Sequence, residues 1–428
     1  MMHKINLHNA VIKCFPAVLL LMLPFQIFAA EAQFPVPAYT SEELAKVREW
    51  EKTWVGKTVD ASNIDQIAQF LPEGFAGIFK NQATWCPPPE GFSFLISAYK
   101  PAGVTTGTIE ATKKYAPLVK TDADGRITNY AEIAGVPFPN PKTGLEVAYN
   151  FECNTRGDTY HSRWYNPVIN PRTKTDRLAD QEFTEMFFIH RVDVDPRPAY
   201  TASANPKGYF RAELMHMYLP PEMLNSRLLQ IRYIDDKKDD DSYLYYNQFR
   251  RIRRISTNER TNAIDGTDQI YDDSYQWDSH IGKNTYTLMG KKDMLAPRHT
   301  DTTKARRTEG QSFPSNLNYE RCNLYVVEAV SREKGYIYSK RIWYVDPETY
   351  LIVWQETYDK NGKYWKIFGE LTDDIKNANG ELRNFFTGLV VFDFIRIHAG
   401  WSNQVPKELS VPGIKPDMFT TSNLQKTY

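Results

Sequence analysis

The densest run of one chemical type in the sequence is Arg250-Arg251-Ile252-Arg253-Arg254. In a strand, alternation places Arg251 and Arg253 on one side and Arg250, Ile252 and Arg254 on the other. A guanidinium is a rigid fork of donors that can take a carboxylate or phosphate through two parallel hydrogen bonds. Two readings follow. The arginines pair with the acidic stretches nearby, 235–241 and 265–273, or some of them meet a lipid phosphate or carboxylate at a cavity mouth. A second cluster, Asp265, Asp268, Asp272, Asp273 and Asp278, could bind calcium in an exported protein. It lacks the alternating spacing and terminal glutamate of an EF-hand loop, so a solvated loop is the expectation.

Other reaction chemistry is sparse. Val55-Gly56-Lys57-Thr58 ends like a phosphate-binding loop, but Glu51 stands where that loop needs its first glycine, and the run closes a helix. No G-x-S-x-G, H-E-x-x-H or G-x-G-x-x-G occurs. His161, His190, His216, His280, His299 and His398 are scattered, without paired ligand spacing, and read as structural or surface residues. Carboxylates are many, yet no local signature nominates a glycosidase pair. No catalytic residue, metal site or cofactor is expected.

Of the cysteines, Cys14 lies in the N-terminal segment, ahead of its apolar run and outside any lipidation pattern; Cys86, Cys153 and Cys322 remain. Export permits disulfides. Cys86 and Cys153 share the N-terminal half and are the expected pair, which would stabilise the fold by about 4 kcal/mol on the chain-entropy account. Three buried thiols are the alternative. None sits in a C-x-x-C, so zinc and redox chemistry have little support.

Residues 1–32 read as a secretory signal. His3, Lys4 and Lys13 make a basic start, and an apolar run over 15–28 follows, broken by Pro16 and Pro24. Ala30-Glu31-Ala32 is a small-x-small cleavage pattern, placing cleavage after Ala32, with Ala29 or Ala30 as alternatives. A buried N-terminal helix is the other reading. Nothing later resembles a membrane span. Lys+Arg and Asp+Glu are both 52, so there is no net pull toward nucleic acid or an anionic membrane. The 42% hydrophobic fraction and mean hydropathy of −0.53 fit a soluble globular chain. Aromatics reach 14%, which favours strands and large amphipathic surfaces.

Thr40-Ser41-Glu42-Glu43 resembles a capping box, and Leu44, Val47, Trp50 and Trp54 recur near helical spacing, so 41–55 is expected to be a helix. A second short helix is expected over 64–70, capped near Ser62 and stopped by Pro72. From 86 to 150, prolines and glycines suggest irregular chain with short strands. Strands are expected at 210–218, 228–234, 243–249, 285–289, 324–330, 336–345, 350–358, 363–368 and 389–399. Tight turns at 346–349 and 359–362 join the later ones as hairpins. This is an antiparallel meander.

Its faces are amphiphilic on both sides. Tyr350, Ile352, Trp354 and Tyr358 oppose Leu351 and Val353; Tyr336, Tyr338, Ile342 and Tyr344 oppose Ile337, Trp343 and Val345. A sheet with one wet face alternates apolar with polar, so both faces here must be covered. A curved sheet with the N-terminal half on one face, and a helix or ligand under the other, satisfies this; a filled sandwich is the alternative.

Several motifs also carry a resemblance. Gly135-Val136-Pro137-Phe138-Pro139-Asn140-Pro141 with Gly144-Leu145-Glu146 resembles the G-x-P-F-P-x-P…G-L-E stretch of the DUF1329 family. Tyr245-Tyr246-Asn247-Gln248-Phe249 leads into the arginine run, with Phe249 where the family places a small turn residue. Met289-Gly290-Lys291-Lys292-Asp293-Met294 resembles its G-K-K-E-M segment. Tyr325-Val326-Val327-Glu328-Ala329, Tyr338-Ser339-Lys340-Arg341 and Tyr344-Val345-Asp346-Pro347-Glu348-Thr349 resemble its C-terminal hairpins. The family is exported by Gram-negative bacteria and has no settled catalytic residues. The resemblance implies a fold like the LolA/LolB lipoprotein carriers, an incomplete antiparallel β-barrel on helices with an apolar cavity. It also implies RND-type exporters and outer-membrane proteins as partners.

The expectation is thus a mainly β (α+β) protein: a curved antiparallel sheet with helices over its concave face. Residues 33–200 form a helical and irregular part packed on the sheet part, 201–428, as one integrated domain. The expected role is non-enzymatic: a periplasmic carrier for a lipid or other hydrophobic ligand, peripheral to the outer membrane or free. A protein-binding adaptor and a polysaccharide or lipid hydrolase are the alternatives. Candidate ligand contacts are Tyr336, Tyr338, Trp343, Tyr350, Trp354 and Trp365, with Arg251 and Arg253 as polar contacts.

Overall fold

A reciprocal cap opens the first helix. The Thr40 hydroxyl accepts from the Glu43 amide at 3.3 Å, and the Glu43 carboxylate accepts from the Thr40 amide at 2.8 Å. The computed structural model describes residues 34–85, 92–154, 156–264, 266–308 and 310–426. Helix α1 (Ser41–Trp54) buries Val47 and Trp54, as its spacing predicts. The helix expected over 64–70 is instead two 3-10 turns, Ile64–Gln66 and Ala68–Phe70. Pro72 then caps α2 (Glu73–Lys80), and α3 (Gln82–Trp85) follows. A proline lacks the amide that a helix start leaves unbonded anyway, so it opens this helix as readily as it stops one.

The stretch expected to be irregular holds two more helices, α4 (Thr106–Tyr115) and α5 (Gly144–Cys153). Threonines cap both: Thr105 accepts from the Thr108 amide and Thr143 from the Glu146 amide. Gly144 is required there. A β-carbon on it would lie 2.8 Å from the backbone of Tyr286 and Thr287, so α5 can start against that strand only with glycine.

The strands, in chain order, are β1 (Thr58–Val59), β2 (Phe94–Ile96), β3 (Thr159–Asn170), β4 (Thr175–Phe187), β5 (Tyr209–Leu219), β6 (Arg227–Tyr233), β7 (Asp241–Tyr246) and β8 (Arg251–Ile255). They continue with β9 (Asn284–Ala296), β10 (Leu317–Ser331), β11 (Lys340–Val345), β12 (Ile352–Tyr358), β13 (Tyr364–Lys376), β14 (Leu382–Asp393) and β15 (His398–Leu409). All join one sheet in the order β1-β2-β10-β11-β12-β13-β14-β15-β3-β4-β5-β6-β7-β8, with β9 paired to β10. The two ends of this path do not pair, so no barrel closes. Pairing is antiparallel except where β2 runs parallel to β10. The mainly β, antiparallel class is as expected.

Several boundaries differ from expectation. β3 and β4 are long central strands inside the part read as helical and irregular, and they bridge β15 to β5. The strand expected over 336–345 begins only at Lys340. The single final strand expected over 389–399 is two, β14 and β15, turning between Asp393 and His398.

The sheet curls. β13 and β5 stand five places apart in the order, roughly 24 Å across a flat sheet. Yet the Tyr275 hydroxyl donates to Glu213 on β5 at 2.6 Å, and the adjacent Gln276 amide donates to Glu370 on β13 at 2.8 Å. Both reaches require the strands to bend toward them. β8 ends the path at one edge and β9 lies near the other, so the connection over 256–283 must cross this concave face as a strap.

Both faces are covered. On β11, Trp343 and Val345 pack with α5 residues Val147, Ala148 and Tyr149. On its other side, Ile342 and Tyr344 share a core with Val47 and Trp54 of α1, Phe75 and Phe79 of α2, and Trp85 of α3. Helices therefore lie on both faces, rather than on the concave one alone. Beyond them, Phe419 and Leu424 of the C-terminal segment cover Met186, Ala212 and Leu229 on β4 to β6.

Candidate functional site

The arginine run settles on the edge strand β8. Arg253 meets both oxygens of Glu259, at 2.6 and 2.7 Å, and Arg254 meets Asp241 at 2.5 Å. Arg254 thus pairs with the 235–241 acids as expected, whereas Arg253 takes Glu259, outside both expected stretches. Arg251 is exposed on the same strand.

Of the six aromatics expected as ligand contacts, Tyr338, Trp343, Tyr350 and Trp354 are buried and Tyr336 and Trp365 half-buried, and each spends its polar atom inside the chain. Trp343 donates to Gln355 at 3.0 Å and Trp354 to the Leu295 carbonyl at 2.8 Å. Tyr350 donates to the Pro139 carbonyl at 3.0 Å, which ties down the Gly135–Pro141 motif loop. Tyr336 donates to Asp272, Tyr338 to Asp273 and Trp365 to Asp393. Tyr336 and Tyr338 gather round Arg341, which donates to Asp273 at 2.6 Å, and Trp365 stacks edge-on to Tyr338 at 5.4 Å. The structure thus splits the set over two faces. None of the six lines the groove described next, so a ligand there meets other residues.

The acidic run proves to be the underside of the strap rather than a solvated loop. Asp265 lies outside the described residues. Asp268 accepts from His398 at 2.6 Å, Asp272 pairs with Arg260, Asp273 with Arg341, and Asp278 with Arg211 and Arg232. Asp268, Asp272 and Asp273 are buried. Isolated carboxylates would not tolerate that; Asp268 and Asp273 are met by His398 and Arg341 of distant strands, and Asp272 by Arg260 of the strap itself. Among the described residues, no group of three or more His, Cys, Asp or Glu is placed to hold a metal ion.

Cys153 ends α5 as a buried thiol 3.7 Å from His190. Its expected partner Cys86 lies outside the described residues. Burial pushes the Cys153 thiol up and the His190 imidazole down to about 4. A thiolate–imidazolium nucleophile needs the opposite shifts, so this pair is structural. Cys322 is likewise a buried thiol.

Among the described residues, a groove of about 850 Å³ opens on the side of the short helices. Leu71, Gly74, Ala76, Gly77 and Trp85 form one wall, and Tyr364, Phe394 and Ile397 the other, with Lys292 at the rim. Gly74 lets the Tyr364 ring pass against the helix, where any β-carbon would collide. Gly77 faces open space, with nothing within 4 Å of a β-carbon built there. The sequence signal was present: two glycines and an alanine on one helix leave a shallow, smooth face. The proline before them made it read as a stop. The walls are mostly apolar, with Gln69, Glu73, Lys80, Asn81 and Thr84 also lining them, and the volume lies in the range of ligand pockets, roughly 300–1,000 Å³, so the groove can hold an amphiphilic or hydrophobic molecule.

Among the described residues, no helix is long and apolar enough to cross a membrane. The chain is similar to an uncharacterized protein of Pseudomonas aeruginosa, PA3922, with 25% identity over 325 residues, which span 72% of this chain and 68% of that one. Two solved structures are similar over 66% of this chain. One is a DUF1329 family protein from Desulfovibrio piger, at 15% identity, TM-score 0.48 and 97% of that chain. The other is the LolA superfamily protein NE2245 from Nitrosomonas europaea, at 13% identity, TM-score 0.41 and 100% of that chain. Residues 58–425 match the family described as "Protein of unknown function (DUF1329)", and the chain belongs to that family.

Proposed function

We propose that the protein is a non-enzymatic carrier that holds a lipid or other hydrophobic molecule in the groove between α2, α3 and the ends of β13 and β14. The observation that carries this reading is the groove itself: about 850 Å³, walled by Leu71, Ala76, Trp85, Phe394 and Ile397, and open at one side. Burying apolar ligand surface there would stabilise the complex by roughly 25 cal/mol per Å². An open side allows release to a tighter acceptor, so transfer follows differential affinity with no bond made or broken. Lys292 at the rim offers a cation to an acidic headgroup. Export to the periplasm through the N-terminal segment, and work beside an RND-type exporter or an outer-membrane protein, belong to the same reading and rest on the motif resemblance.

The test is ligand binding in a groove-filling variant. Gly77→Trp places an indole where a β-carbon meets nothing, at a helical position where tryptophan is a better helix former than glycine, so the fold is kept. A fluorescent fatty acid should bind the parent chain and lose at least about tenfold in affinity to Gly77→Trp. Undiminished binding by a normally folded Gly77→Trp would sink the reading.

A further inference from the structure

A second cavity, of about 100 Å³, lies beneath the strap and shares no lining residue with the groove. Trp164, Phe183, Met215, Leu389 and Val391 give it apolar walls. A space of this order accepts a body of about benzene size. Two carboxyls also line it, Glu213 from β5 and Glu370 from β13, both almost fully buried.

The charges around it do not balance. Arg156 meets Glu185 at 2.6 Å, Arg211 meets Glu185 at 2.9 Å and also Asp278, and Arg232 meets Asp240 at 2.8 Å and Asp278 at 3.0 Å. Three guanidiniums are thereby matched by three carboxylates. Glu213 and Glu370 are the surplus. The guanidinium nearest Glu213 is that of Arg211, 4.0 Å away and already shared. Glu370 has no ion pair among the described residues; its partner is the Gln276 amide. The oxygen of that amide is itself buried with no hydrogen-bond partner. Were both carboxyls ionised, the site would hold two negative charges with no cation of their own.

We propose that the strap-covered cavity binds a small hydrophobic ammonium, an alkylamine or arylalkylamine, whose charged end pairs with the surplus carboxylates and whose body lies against the apolar walls. The ligand brings the cation that the ionised carboxyls would need, and its size is limited by the cavity. This site is independent of the carrier groove.

The acid groups give the proposal a sign. Burial pushes Glu370 up to about 8, opposed by the Gln276 hydrogen bond and by Arg156. Burial and then the Glu185 charge push Glu213 up to about 7, against Arg211 and the Tyr275 hydroxyl, with Asp278 adding to the rise. An ammonium stabilises the ionised carboxyls, so near neutral pH its binding expels protons, and affinity rises with pH until the amine itself deprotonates. A neutral ligand that accepts a hydrogen bond from a protonated carboxyl would show the reverse.

The experiment is calorimetric titration of the whole protein with phenethylamine and with phenethyl alcohol, at about pH 6 and about pH 8, in buffers of different ionisation enthalpy. Expected are tighter amine binding at the higher pH, proton release, alcohol binding at least about tenfold weaker, and at least about a tenfold loss in Glu370→Gln. If Glu370→Gln fails to fold by its thermal melt, Glu213→Gln carries the same expectation. Leu389→Trp, which fills the space, should abolish amine binding. Alcohol binding as tight as amine binding, affinity that falls as pH rises, absence of amine binding, or full affinity in the folded glutamine variants overturns the proposal.

Discussion

Glu185 and Glu213 stand directly opposite each other on β4 and β5, and only Glu185 is held charged. Burial opposes ionisation of both. Arg156 and then Arg211 override it at Glu185 and hold that carboxyl below its usual range. At Glu213 burial and the facing Glu185 charge win. Like charges directly across a strand pair repel, and this sheet resolves the conflict by giving the guanidiniums to one partner. The strap completes the arrangement: Asp278 takes the remaining reach of Arg211, and the Tyr275 hydroxyl satisfies Glu213. A connection that had to cross the sheet for topological reasons is thus fixed by the charges it crosses.

Glu370 makes stability fall as pH rises. Its folded carboxyl titrates near 8, above the ordinary glutamate value near 4.5. A raised folded value means a contribution fully present below the unfolded value and lost as pH climbs to the folded one. Between about pH 4.5 and about pH 8 this group loses on the order of 5 kcal/mol of its contribution. Glu370→Gln removes the proton and with it that slope. Urea unfolding at about pH 5 and about pH 8.5 should show the variant gaining on the parent at the higher pH, whereas parallel curves would mean Glu370 is not buried neutral.

Arg298 should be among the least replaceable residues. It is fully buried, with Asp346 at 2.7 Å, Glu348 at 2.5 Å and Glu320 at 3.9 Å. Asp346 and Glu348 belong to the Asp346-Pro347-Glu348-Thr349 turn, so that turn is tied to the sheet by one guanidinium. Arg298→Met strands these carboxylates and should cost about 3–5 kcal/mol. Arg298→Lys should recover little, because an ammonium has no fork for two carboxylates. Urea midpoints measure both. The gap between Arg298→Met and the parent should narrow in acid, where the orphaned carboxyls protonate.

Local signals were legible and remote ones were not. The α1 cap involves two residues three apart, so Thr40 and Glu43 announce it. The hairpins at 346–349 and 359–362 are equally local. β3 and β4 were hidden by chemistry. Pro167 sits within β3, where a central strand ordinarily excludes proline. Gln181, facing the cavity, and Asp180, paired with Arg163, blur the apolar alternation of β4. The strap carboxylates were harder still. Asp273 meets Arg341 across 68 residues and Asp268 meets His398 across 130, and no spacing rule spans such distances. The aromatic faces correctly demanded cover on both sides. What covers them, however, is mainly protein.

Gly369 exists for Trp354. A β-carbon at Gly369 would lie 2.6 Å from the Trp354 ring and 3.0 Å from Val390. That ring is pinned by its bond to the Leu295 carbonyl and packs on Phe75 at 4.7 Å, so it cannot step aside. Gly369→Ala should destabilise by about 1–3 kcal/mol. Trp354→Phe frees space at the same point, so the double variant should lose less than the sum of the single ones. Additive losses in thermal melts would show that the contact is not what requires glycine.

Asp273 should decide whether the strap stays down. Its carboxylate accepts from Arg341 at 2.6 Å, from Tyr338 at 2.9 Å and from the Ile270 amide at 2.9 Å. All three partners are buried or nearly so, and Arg341 is offered no other carboxylate within ion-pair reach among the described residues. Asp273→Asn keeps the shape but leaves that guanidinium without its counter-charge, at a cost of about 3–5 kcal/mol. The strap has no ladder bonds to a neighbouring strand along most of its length and is held by side-chain contacts such as Trp277 on Trp343, whereas β11 to β14 are locked by ladder bonds on both sides. The cost should therefore appear as local opening: amides over 266–283 should exchange faster with solvent, while those of β12 and β13 keep their protection. Faster exchange in the strands as well would mean that Asp273 supports the whole sheet rather than the strap alone.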